Sequence, residues 1–196
     1  MKIRDKFAVA VAFAGMALYL VVGVFLPFIQ HDGGYFWDAA GHIFAAWFQH
    51  TYLFPRWTGW NPFFFAGYPQ DTFYGPVYHY VISLFAFPLG LLTSFKMVTI
   101  LSISILPISF YAFARKCRFD PAESSLLMVL MMVPIATLHI ASGGTLYSQF
   151  YVGLGAETLA FPLFFFYVGK LKEVVESLQE PLSPPVSFRD FLILTL

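Results

Sequence analysis

His31 to Tyr80 reads HDGGYFWDAAGHIFAAWFQHTYLFPRWTGWNPFFFAGYPQDTFYGPVYHY, and how it is placed decides the fold. It follows a long apolar segment, yet it is too polar to cross a bilayer. It holds all four tryptophans (Trp37, Trp47, Trp57, Trp60), the acids Asp32, Asp38 and Asp71, and His31, His42, His50 and His79. Amphipathic rings favour the headgroup level of a membrane, and this composition reads as a site-bearing loop on the outer face.

The rest of the chain supports that placement. Of 196 residues, 59% are hydrophobic, 20% aromatic and 11% charged. Soluble domains carry about 25% charged residues. The mean hydropathy of +0.71 belongs with integral membrane proteins. Net charge is zero and no basic run is present, which argues against nucleic acid. Cys117 is the one cysteine, so an intramolecular disulfide and a thiolate metal cage are excluded.

Upstream, Lys2, Arg4 and Lys6 precede an uncharged stretch from Phe7 to Ile29. A signal peptide has an apolar region of roughly 7–15 residues, and this one is longer. It predicts a first span with its basic end in the cytoplasm. Downstream, apolar stretches predict spans over about 97–114, 124–141 and 155–169. A fifth starts near Phe188. If 76–92 also crossed, the basic clusters Arg115–Arg118 and Lys170–Lys172 would fall outside. Keeping 76–92 outside returns them to the cytoplasmic side. The expected architecture is therefore an all-α, polytopic membrane protein in one transmembrane domain. Its first external loop, 30–96, has interfacial helices over about 38–53 and 76–92, and a second covers 142–154. The closing Phe191–Leu196 reads as the start of a further helix, so the chain is expected to be a piece of a longer protein.

Within the first loop, Ala39, Ala40, Ile43, Phe44, Trp47, Phe48 and Thr51 recur at helical spacing, while Asp38, His42, Ala45 and Gln49 share another stripe. That pattern predicts an amphipathic helix in the interface, with the carboxylate and imidazole facing water. Pro55, Gly59, Pro62, Gly67, Pro69 and Gly75 predict an irregular aromatic loop after it. Asp38 suits a helix start, and a carboxylate fixed there is also preorganised for chemistry. His42, one turn on, can bond it or share its ligand. His50 and His79 read as interfacial anchors. Arg56 can hold a phosphate or snorkel to headgroups. Asp32 and Asp71 are expected to be solvated loop acids unless they meet substrate. Glu157 lies 13 positions before Lys170, about 20 Å along a helix, which puts it at the outer boundary. It either marks the end of a loop or faces a polar cavity. His42 and His50 are about 80° apart around a helix, so the spacing argues against a zinc site on one element. There is no glycine-rich phosphate loop and no nucleophile elbow.

These motifs together resemble a known family. A basic N-terminus and one helix lead to an external Asp-x-x-x-His helix, then Trp60-Asn61-Pro62, Gly67-Tyr68-Pro69 and Tyr74-Gly75-Pro76-x-Tyr78. This resembles the first external loop of GT-C superfamily membrane glycosyltransferases. The nearest in pattern are archaeal relatives of the oligosaccharyltransferase catalytic subunit. Some of those are described as membrane proteins related to 6-pyruvoyl-tetrahydropterin synthase, an activity that the histidine spacing here does not support. The resemblance covers about residues 1–170. It implies a polyprenyl-phosphate-linked sugar as donor, an acceptor hydroxyl or amide, and a multi-pass protein of the cell membrane. It matches Asp38 and Glu157 to the family's catalytic acids; with His42, one turn from Asp38, as a further catalytic candidate, the expected substrate-binding residues are Arg56, Trp60, Tyr68 and Asp71. It also implies Mg²⁺ or Mn²⁺ shared by Asp38 and Glu157, although the family's Asp-x-Asp pair is replaced by Glu157 alone. The alternatives are a non-catalytic multi-pass protein, such as a transporter or assembly subunit, and an inactive truncated remnant.

Overall fold

The computed structural model describes residues 3–30, 38–63, 66–72, 75–137 and 155–179, which are mostly helical. The predicted fifth span, the loop 142–154, Asp32, His31 and Trp37 lie outside them. α1 (Ile3–Leu20) continues through a π turn (Val21–Phe25) into α2 (Leu26–Gln30). α3 (Asp38–Phe48) ends in a second π turn (Gln49–Leu53). A two-stranded ribbon follows, then α4 (Val77–Leu89), α5 (Leu91–Lys116), α6 (Pro121–Thr137) and α7 (Gly155–Gln179).

Both π turns stand beside a proline. Leu26, before Pro27, donates its N–H to the Val21 carbonyl, and Phe54, before Pro55, donates to the Gln49 carbonyl at 2.8 Å. Proline has no N–H to give, so the helical ladder is already interrupted there and absorbs an extra residue. Phe54 then leaves the helix at φ −52°, ψ 131°, the extended conformation favoured ahead of proline.

Two helices are long and apolar enough to cross a membrane, Asp5–Gln30 and Leu91–Lys116. They run antiparallel. Phe13 meets Tyr111 edge-on at 5.2 Å near one end, and Lys96 Nζ donates to the Ile29 carbonyl at 3.1 Å near the other. α7 runs parallel to α5, since Phe165 packs on Phe110 at 4.5 Å and Glu173 pairs with Lys116. Leu20, Val24, Phe25, Ile103, Leu106, Phe110, Met128 and Met132 form the bundle core. The hydroxyls of Ser94, Thr99, Ser102, Ser104 and Ser109 all donate back to carbonyls of α5 or of Gly90 before it. Apolar surroundings demand that satisfaction. α6 opens on a reciprocal capping box: Glu123 N–H donates to Asp120 Oδ1, and Asp120 N–H to Glu123 Oε2, each at 2.8 Å. The predicted span at 124–141 falls on α6 as far as Thr137, its last four residues lying outside the described ones, and that at 155–169 falls on the first part of α7. Pro121–Val133 of α6 is a shorter apolar helix.

Charge is sorted along the bundle. Arg115, Lys116, Arg118, Lys170 and Lys172 gather at one end, where Lys116–Glu173, and Arg118–Glu176 at 3.4 Å, tie α7 to the end of α5, and Lys172–Glu176 at 2.6 Å is a pair within α7. Lys6 lies towards the same end of α1.

At the opposite end sits a second layer made of α3, the ribbon and α4. Its own core is Ala39, Ala46, Tyr78, Ile82, Phe95 and Val98. α4 is 13 residues long, about 20 Å, too short to cross, and lies against the first turns of α5. The chain reverses between them at Gly90, φ 79°, ψ 158°. The span expected at 97–114 lies within α5, which starts six residues earlier.

Two expectations need correction. The stretch after Pro55 is not wholly irregular, because Gly59–Asn61 pairs antiparallel with Tyr68–Gln70 in the register Trp60↔Pro69. The polar stripe of α3 also does not face water. His42, Ala45 and Gln49 are buried, and only Asp38 is exposed. Periodicity shows which residues share a face, and here polar partners on α4 and the ribbon draw that face inward.

Candidate active site

α3 opens on Asp38, where a carboxylate suits the positive end of the helix dipole. One turn later His42 points inward. Its Nδ1 lies 2.8 Å from His79 Nε2 on α4. His79 Nδ1 lies 2.6 Å from Asp71 Oδ1, at the end of the ribbon. The three residues are 8%, 3% and 6% exposed. The chemistry fixes one donor. A carboxylate only accepts, so His79 Nδ1–H donates to Asp71. Between His42 Nδ1 and His79 Nε2 either nitrogen can carry the shared proton.

The surrounding contacts hold this chain in place. Gln70 Nε2 donates to the Ala45 carbonyl at 3.3 Å, clamping the ribbon to α3. Asn61 Nδ2 donates to Gln70 Oε1 at 2.9 Å, and Tyr68 O–H donates to the same oxygen. Ser83 Oγ–H is shared between the His79 carbonyl at 2.7 Å and the Ala46 carbonyl at 3.1 Å, joining α4 to α3. His50 Nδ1–H donates to the Ser83 carbonyl at 3.2 Å. Thr99 gives its hydroxyl proton to the Phe95 carbonyl, so Tyr78 donates to Thr99 Oγ1 at 2.9 Å. The Tyr78 ring stands edge-on to His42 at 5.7 Å. Asp71 adopts φ 59°, a left-handed conformation that Asp tolerates better than most residues. Its Oδ2 is buried and has no partner among the described residues.

Burial pushes the His42 pKa down to about 4, and the neighbouring His79 adds to that; the charges of Asp38 and Asp71 oppose it. His42 therefore sits in the fold as a neutral imidazole at pH 7. Burial also pushes the Tyr68 and Tyr78 phenols up.

The structure thus joins two predicted site residues, His42 and Asp71, through His79, and Asp38 stands one turn before His42 on α3. Asp71 is a correction to the solvated loop acid expected, because it is the buried end of this hydrogen-bonded series. His79 is a second correction, since it was read as an anchor at the interface. His79, Ile82, Ser83 and Ala86 are all buried, at the i, i+3, i+4, i+7 spacing of one stripe. That periodicity was the signal for its inward position. Tyr68 reaches the site through Gln70, to whose Oε1 its hydroxyl donates. Trp60 is 62% exposed on the ribbon, over Gly67, where an added Cβ would fall 2.5 Å from the indole nitrogen. The Arg56 side chain is exposed, and its carbonyl accepts from Gln49 Nε2. Glu157 is exposed in the first turn of α7, whose Leu159 packs on the core of this layer. It lies at the same end of the bundle as Asp38.

Among the described residues, no three His, Cys, Asp or Glu side chains group to hold a metal. His79 spends both ring nitrogens within the chain. Asp38 and Glu157 do not by themselves form the six-oxygen set that Mg²⁺ demands, and no step below runs through a cation. No protein-family model, curated protein or solved structure matches this chain.

Proposed function

We propose that this protein is a membrane glycosyltransferase of the GT-C kind, moving a sugar from a polyprenyl-phosphate carrier to an acceptor hydroxyl or amide at the outer membrane face. The observation that supports this best is the buried Asp71–His79–His42 chain beginning one turn behind an exposed Asp38. As the bond from the acceptor to the anomeric carbon forms, the bond from that carbon to the phosphate oxygen breaks. The electron pair leaves with the lipid phosphate. Asp38 takes the acceptor's proton. Behind it, His42 relays a proton to His79, whose imidazolium is stabilised by Asp71. Glu157 orients the donor from the start of α7, Arg56 faces its phosphate, and Trp60 and Tyr68 offer stacking faces for the sugar.

The reading is tested by following labelled sugar from polyprenyl phosphate in membranes holding the full protein. Asp38→Asn should lower transfer about 100-fold or more, the usual worth of a positioned acid or base. His79→Gln should lower it less and change its pH profile. Full turnover by Asp38→Asn overturns the assignment.

A linked chain of titratable groups also favours one second reading, a proton-conducting membrane subunit. Proton flux into proteoliposomes that is abolished by His79→Gln, without sugar transfer, would select it.

A further inference from the structure

We propose that the seam between α2 and α5 binds an anionic phospholipid of the surrounding bilayer, with its phosphate on Lys96 and an acyl chain in the groove beneath. The inference rests on the membrane placement of the chain and not on sugar transfer. Lys96 is the sole Lys or Arg between Arg56 and Arg115. It stands 19 residues before Arg115, about 28 Å along the helix, close to the roughly 30 Å of a hydrocarbon core. If the basic end of α5 marks one headgroup plane, Lys96 marks the other.

The space around it has the matching chemistry. A cleft of about 530 Å³ is lined by Ile29, Leu92, Met97, Ile100 and Leu101, with Lys96 and Thr93 as its polar side chains. That volume lies within the roughly 300–1,000 Å³ of small-molecule clefts. A second apolar cleft of about 420 Å³, lined by Ala40, Phe44, Trp47 and Leu91, shares Leu92 with the first. The two form one apolar track, from the lipid-facing side of α5 to the outer face of α3. Lys96 Nζ donates to the Ile29 carbonyl near the end of α2, so the ammonium is held at the mouth of the seam. An ammonium is a compact charge with three donors, suited to a phosphate oxygen as well as a carbonyl. Ile29, Leu92 and Leu101 are each about half exposed, and Ile108 continues that apolar surface along α5. A long hydrocarbon chain fits this lining, and a soluble phosphate would gain from Lys96 and Thr93 alone.

The test uses vesicles of phosphatidylcholine with a minor fraction of photoactivatable phosphatidic acid, the diazirine placed on the acyl chain. Adducts are expected on Ile29 and on Met97 to Leu101. Lys96→Gln should reduce them about tenfold, the size of one lost charge-assisted contact, while Lys96→Arg keeps them within about twofold. Met97→Trp, which fills the groove and keeps the amine, should also reduce them. Excess inorganic phosphate should not compete, and photoactivatable diacylglycerol should label weakly. Equal labelling of the wild type and Lys96→Gln in folded protein overturns the proposal, as does competition by inorganic phosphate. Release of the chain by alkaline carbonate would remove the membrane placement and the lipid site together. Loss of sugar transfer alone would touch neither.

Discussion

Protonating His42 is harder in this fold than in water, and that difference links stability to pH. Its pKa is about 4 in the folded protein against 6.5 in the unfolded chain, chiefly through burial. Between those values the unfolded state binds more protons, so stability rises with pH across that window. The contribution is fully present above about pH 6.5, falls as the pH drops, and levels off near pH 4, amounting to roughly 3 kcal/mol. Thermal unfolding in detergent should show a midpoint falling from pH 6.5 to 4, with a flatter profile in His42→Gln. An unchanged slope in that variant would place the proton uptake elsewhere. At this scale the sequence was half legible. Asp38 and His42 stand one turn apart on a periodic segment, and their proximity follows from helix geometry. The Asp71–His79 contact does not, because it depends on the ribbon turning Asp71 back onto α4. A three-residue strand pair leaves little periodicity to read.

Helices were the most readable elements, and their facing directions the least. The alternation on α3 named the correct stripe, but the stripe points to His79 and Gln70 and not to water. Polar partners on α4 and the ribbon draw that stripe inward, and an amphipathic pattern alone is blind to that choice. The reversal between α4 and α5 can be tested directly. Gly90 has φ 79° and ψ 158°, a region essentially closed to other residues, although a Cβ there would meet nothing within 4 Å. Gly90→Ala should therefore destabilise by about 1–3 kcal/mol through backbone strain alone. Gly41 lies in α3, exposed and with open space around it, so Gly41→Ala should stabilise by roughly 0.5–1 kcal/mol. Denaturation midpoints that move together in the two variants would refute this account of the turn.

For the whole molecule, the sorting of charge sets an orientation that can be measured. Cys117 closes α5 among Arg115, Lys116 and Arg118, far from His42. If basic ends stay in the cytoplasm, an impermeant thiol reagent should leave Cys117 unlabelled in intact cells and label it once the membrane is opened. Labelling of intact cells would invert the topology and put the His42 layer inside. Composition and charge runs made the layered plan legible in advance, since apolar length and basic clusters act over whole helices. The burial of the loop's own polar core was not, because it is set by contacts between residues far apart in sequence. The aromatic inventory divides the same way. Every tryptophan precedes Asn61, and none lies in α1, α5, α6 or α7. Trp57 lies flat on Tyr80, ring centres 4.1 Å apart and planes 7° from parallel. Red-edge excitation of Trp47, Trp57 and Trp60 therefore lights up the layer of α3 and the ribbon and leaves α1, α5, α6 and α7 dark. Emission would follow the loosening of α3, the ribbon and α4, while circular dichroism, dominated by the long helices, reported on the rest.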